Sequence, residues 1–208
     1  MQIKYYEDYI HFINIGRRKE ATNALKSFIA SFTSTVDKSN WVWTYLEQLP
    51  KLIDNKTSGI RHEIFKELIF PVLKTGYLNH DFASILWLAK LIHNLYGNEN
   101  LHQEIDYISY HELLNIALKI EPKNIEVKNL LLDSIVSQLE YYIHEWPVGI
   151  LYDHNGADLT QCNLIRKKII LAKNLDTDKT HHLFLADFEE KLSEYETRLI
   201  KFLKQNSH

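Results

Sequence analysis

The sequence has one cysteine, four prolines, six glycines and one methionine in 208 residues. A single thiol, Cys162, cannot support an intrachain disulfide framework, and a reducing, cytoplasmic compartment suits it best. Free cysteine usually packs as a small apolar residue, and Cys162 is read that way. Scarce proline and glycine mean few strongly marked turns, which favours long helices over many short strands. A basic surplus is also lacking. Lys and Arg number 24 against 27 Asp and Glu, a net charge of −3, which argues against a nucleic-acid partner. No apolar run approaches the roughly 20 residues that span a bilayer, so no membrane association is expected. The nearest, GIRHEIFKELIFPVL, is interrupted by charges. The opening MQIKYYEDYIHF has no charged segment leading into an apolar one, so no secretory signal is expected there.

What is present is a globular balance, 45% hydrophobic and 25% charged, with enough chain for one domain over 1–208. Apolar residues recur at helical spacing almost throughout. Residues 3–14 and the run Ala21, Leu25, Phe28, Phe32 predict two helices joined by a turn at Gly16, an αα-hairpin. Trp41 and Tyr45, four apart, share a face of a third helix capped by Asp37 or Ser39, with Pro50 either kinking it or starting a short new one. A fourth, capped by Thr57 or Ser58, carries Ile64, Phe65, Leu68 and Leu73, bends at Pro71 and ends at Gly76. Asn79 is expected to cap a broadly apolar fifth, and a sixth runs from Leu101 to Ile120, where Pro122 stops it. Asn124 opens the longest clean helix, to about Glu145, and Pro147 and Gly149 end it. Residues 147–157 read as irregular. Asp158 and Gln161 form a capping box for the next helix, and a last one, near Thr180–Leu203, has a narrow stripe suited to closing an array.

Eleven histidines raise the question of a metal or acid–base site. The pairs His62-Glu63, His111-Glu112 and His144-Glu145 lack the second histidine four residues on that a zinc-protease helix requires; Lys66, Asn115 and Val148 stand there. His181 and His182 are adjacent and diverge by about 100° on a helix. Asp153-His154-Asn155-Gly156 lacks the sixth-position glycine and twelfth-position carboxylate of a calcium loop and reads as a turn. No phosphate loop, nucleophile elbow or cysteine–histidine signature is present, so no cofactor, metal or catalytic set is assigned. Residues are left over only around the end of the long helix: Tyr141, His144, Glu145, Trp146, Tyr152, Asp153 and His154. Loops on a rigid scaffold often carry recognition, and these are expected to form a protein-binding loop. The bland alternative is that Trp146 and Tyr142 lock the loop to the core while His144 caps carbonyls.

Two resemblances bear on these residues. Ala117-Leu118-Lys119-Ile120-Glu121-Pro122-Lys123-Asn124 is similar to the end of a tetratricopeptide repeat, and Gly16-Arg17-Arg18-Lys19-Glu20-Ala21 to the turn within one. The Trp…Leu-Gly…Tyr signature is absent, so the implied fold is a degenerate, tetratricopeptide-like α-solenoid. That would be an all-α, right-handed array of antiparallel helix pairs with about eight or nine helices. Gly76-Tyr77, Trp87-Leu88-Ala89, Tyr96-Gly97 and Ile143-His144-Glu145-Trp146-Pro147 resemble a group of bacterial helical-repeat proteins associated with immunity to contact-delivered toxins. This resemblance implies a non-enzymatic scaffold that binds one protein partner, a toxin domain. Two alternatives stay open: a helical enzyme or small-molecule sensor with a His/Glu/Asp pocket, and a nucleic-acid-associated protein using Arg17, Arg18, Lys19, Arg166, Lys167 and Lys168 on one face.

Overall fold

The structure, a computed structural model, describes residues 2–54 and 60–205. The expected cap at Thr57 or Ser58 lies outside the described residues. These form an all-α fold whose strands amount to one two-residue hairpin. None of the described helices is long and apolar enough to cross a membrane. The chain divides into two compact units, 1–113 and 114–208.

In the first unit, α1 (Gln2–Asn14) and α2 (Arg18–Ala30) pack as the expected hairpin, and Gly16 at φ +74° makes the turn that a β-carbon would disfavour. Helix α3 (Thr35–Asp54) begins earlier than expected because Ser34 caps it. The Ser34 hydroxyl accepts the Asp37 N–H at 3.0 Å and donates to the Asp37 carboxylate at 2.7 Å. The helix runs on through Pro50. Trp41 and Tyr45 stack at 4.9 Å, and buried Phe28 lies 5.0 Å from Trp41 and 5.2 Å from Tyr6. Burial and the neighbouring Tyr6 push the Tyr45 hydroxyl pKa well above its ordinary value. Burying a ring such as Phe28 is worth about 1.5–3 kcal/mol, so this cluster anchors the N-terminal helices.

The next segment is α4 (His62–Ile64), a π-helical turn (Phe65–Ile69) and α5 (Phe70–Leu78). Pro71 explains the irregularity. It has no N–H to give the carbonyl four residues back, that of Glu67. The Phe70 N–H reaches the Phe65 carbonyl instead, and Lys38 of α3 donates to the Glu67 carbonyl at 3.1 Å. Gly76 does not end the helix; it lets α5 approach Ser84 on α6 (Phe82–Lys90). Asp81, not Asn79, caps α6, accepting the Ser84 N–H at 2.8 Å. Asn79 turns back to donate to the Thr75 carbonyl.

The helix expected over Leu101–Ile120 is two. After α7 (Ile92–Tyr96), α8 (Glu99–Gln103) stops, and α9 (Tyr110–Ile120) starts afresh. Between them Asp106 and Tyr107 both take φ +54°, a conformation that costs a non-glycine residue about 1–2 kcal/mol. The Tyr107 N–H to the His102 carbonyl at 3.0 Å and the His102 ring against Tyr107 at 5.3 Å hold them there. Ser109 and Glu112 then form a reciprocal cap: Glu112 accepts from the Ser109 N–H at 2.8 Å, and Ser109 accepts from the Glu112 N–H at 3.2 Å.

In the second unit, α10 (Ile125–Tyr142) packs on α11 (Leu159–Leu175), and α11 on α12 (His182–Gln205). Asn124 caps α10, and Asp158 with Gln161 forms the expected capping box on α11. Val127, Leu131, Ile135, Ile165, Ile169 and Phe188 are among the fully buried core residues. The predicted α12 stripe is buried at Phe188 and Leu192 and exposed at Phe202.

Candidate functional site

The segment from Tyr141 to Asp158 leaves α10 and returns to α11. It is ordered by bonds, not irregular. Helix α10 ends three residues sooner than expected, and a run of tight turns follows. His144 N–H donates to the Tyr141 carbonyl at 3.1 Å, Trp146 to Ile143 at 3.0 Å and Val148 to Glu145 at 2.9 Å. The Trp146–Pro147 peptide is cis. Ile150 and Ala157 are buried and joined by the Ala157 N–H to the Ile150 carbonyl at 2.8 Å. Beyond them β1 (Leu151–Tyr152) pairs antiparallel with β2 (Asn155–Gly156), Tyr152 facing Asn155. Asp153, at φ +54°, makes the turn, which aspartate tolerates better than most residues.

Two cations pin this ledge to the helices. Lys168 of α11 donates to the Tyr142 hydroxyl and to Gln138, each at 2.9 Å, and lies 5.3 Å from the Tyr142 ring and 6.0 Å from that of Tyr152. Those two rings stack at 5.7 Å. At the other end, Arg198 of α12 lies 5.0 Å from the Trp146 ring and donates to the Pro147 carbonyl at 2.8 Å. Tyr195, one turn earlier, donates to the Ala157 carbonyl at 2.8 Å, and Tyr141 to the Asp153 carbonyl at 2.9 Å. A β-carbon on Gly156 would sit 3.0 Å from the Tyr195 hydroxyl, so this contact favours glycine there.

The expected site residues therefore divide. Trp146 and Tyr152 are half-buried, each with one face spent on the scaffold. Tyr141, His144, Glu145, Asp153 and His154 are exposed. His144 faces its neighbour Glu145 at 3.4 Å and caps no carbonyl of α10. The four polar residues of the ledge form no buried pocket, and His62 is exposed on α4, taking a bond from Asn98 at 3.2 Å. Among the described residues no group of three or more His, Cys, Asp or Glu side chains is placed to hold a metal ion. Sequence reasoning missed Tyr195, Arg198 and the 85% exposed Val148, and it weighed Lys168 only for a nucleic-acid face, not for this segment. No local signal connects α12 to a turn some fifty residues earlier.

No family model, curated protein or solved structure matches this chain.

Function is thus read from the residues themselves. Cys162, beneath α12, is fully buried. Burial first, then the Glu196 and Asp158 carboxylates, push its pKa to about 11, which leaves a neutral and inaccessible thiol at physiological pH. Arg166 and Glu196 pair across α11 and α12. The ledge offers fixed aromatic edges, a guanidinium with most of its donors uncommitted, and an acidic turn.

Proposed function

We propose that this protein is a non-enzymatic helical scaffold that binds one protein partner through the Tyr141–Asp158 ledge. The single observation supporting this is that exposed Tyr141 and Arg198 and half-buried Trp146 are held there by α10, α11 and α12. These residue types dominate the energetics of protein interfaces. Rigid presentation lowers the ordering cost of binding. The resemblance of the Ile143–Pro147 run and its companions to toxin-immunity proteins supplies the finer reading. The partner is a toxin domain neutralised in the cytoplasm, and the helix pairs are of degenerate tetratricopeptide type. A polyanion fits less well, because Glu145, Asp153 and Asp158 are exposed on the same segment.

The test is co-expression with the product of the adjacent upstream gene. The reading expects a stable complex and protection from that product's toxicity, with Trp146→Ala and Tyr141→Ala each weakening the complex about tenfold or more. A complex indifferent to every ledge substitution would move the site elsewhere. No complex and no protection would remove the immunity reading.

A further inference from the structure

Among the described residues three cations of the α11–α12 pair are neutralised by carboxylates, and Arg198 is not one of them. Arg166 pairs with Glu196, Lys173 with Glu189 and Lys191 with Asp187. Arg198 is exposed and has no carboxylate partner; Glu194, four residues before it, makes no ion pair with it. Its guanidinium carries five N–H donors in a planar fork. One of them reaches the Pro147 carbonyl, and the guanidinium carbon lies 5.0 Å from the centre of the Trp146 ring and 6.0 Å from that of Tyr195. An exposed guanidinium held in this way by one hydrogen bond can offer two further donors to a carboxylate in bidentate geometry.

We propose that Arg198, held over Trp146, is the specificity determinant of the ledge and reads an Asp or Glu side chain on the bound protein segment. The proposal rests on the reading of the ledge as a protein-binding surface. A lone carboxylate fits where a phosphate polymer does not, since Glu145 and Asp153 on the same ledge would repel a continuous polyanion. Arginine, not lysine, is required, because a point charge cannot offer two parallel donors.

The experiment presents a random dodecapeptide phage library to the full chain and to four variants, Arg198→Ala, Arg198→Lys, Arg198→Glu and Trp146→Ala. Hydrogen exchange over 144–157 is measured on each variant to confirm that the ledge is intact. Arg198→Glu is the decisive arm, because it keeps a long polar side chain and reverses the charge. The expected result is enrichment of peptides with Asp or Glu at one position. Their affinity falls about tenfold or more in Arg198→Ala and Arg198→Lys, and selection on Arg198→Glu switches to Lys or Arg at that position. Peptides that need Trp146 but carry no acid, or that bind Arg198→Ala unchanged, would overturn the carboxylate assignment and leave the partner-binding reading standing. No peptide sensitive to Trp146 would sink both. A labelled mixed-sequence single-stranded oligonucleotide serves as the other probe; tight binding to the wild type, lost in Arg198→Ala, would replace the protein segment with a nucleic acid.

Discussion

Gly76→Ala should destabilise this protein, against the usual sign for such a change. Inside a helix, alanine normally improves on glycine by about 0.5–1 kcal/mol. Gly76 lies within α5, and a β-carbon there would overlap both the Oγ and the Cβ of buried Ser84, well inside the 3.0 Å that such atoms keep. The hydroxyl can rotate away, but the Ser84 Cβ is fixed to the α6 backbone. Helix α6 must then retreat by on the order of 1 Å, straining the Asp81 cap that holds Ser84 N–H. Overpacking of this kind costs about 1–3 kcal/mol. Set against the propensity gain, the net loss is about 1–2 kcal/mol, a melting temperature lower by roughly 2–8 °C for a chain of this size. Denaturant titration of Gly76→Ala, Ser84→Gly and the double variant checks it. In the Ser84→Gly background the overlap is gone, and Gly76→Ala should stabilise by about 0.5–1 kcal/mol. A Gly76→Ala protein as stable as wild type, or the same effect in both backgrounds, would refute the close-approach argument.

Other consequences concern the caps and the ledge. Lys168→Met removes the bonds to Gln138 and Tyr142, and amides over 150–157 should exchange roughly tenfold faster while those of α10 and α11 keep their protection; unchanged exchange at the ledge would mean that Lys168 does not hold it. Asp158→Ala breaks the capping box and should cost about 1 kcal/mol in denaturant titration. The Ser109 bonds hold the Glu112 pKa below its ordinary value. Its contribution is therefore present above the unfolded glutamate pKa of about 4.3 and lost as pH falls through the lower folded value. The stability gap between wild type and Glu112→Gln should accordingly close in acid, and a gap that widened there would contradict the assignment. The unique thiol, Cys162, should resist thiol reagents in the native protein at mildly alkaline pH and react fully in denaturant; rapid native labelling would show that the α11–α12 core opens.

Local chemistry was legible where a few adjacent residues decide the outcome. Asn124, the Asp158–Gln161 box and the turn at Gly16 lie where their residue types predict, because a cap or a left-handed turn is set within four residues. The Ser109-x-x-Glu112 box was equally present in the sequence, and it marks the helix start that continuous apolar periodicity concealed. Apolar spacing alone separates helix from strand but says nothing about a break that keeps the same buried face. The π turn at Phe65–Ile69 needed both Pro71 and a lysine from another helix to supply the carbonyl Pro71 cannot serve. Gly76 read as a terminator because its reason for being glycine is Ser84, a residue that only helix packing brings close. The same division holds for the ledge. Sequence alone singled out Tyr141 to His154 as residues that scaffold reasoning leaves over, because they are aromatic and polar beside helix breakers. Tertiary structure decided which of them are spent on packing, and it brought Lys168, Tyr195 and Arg198 to the segment. Long-range bonds between a turn and a distant helix leave no periodicity in either, so they emerge only once α11 and α12 are packed.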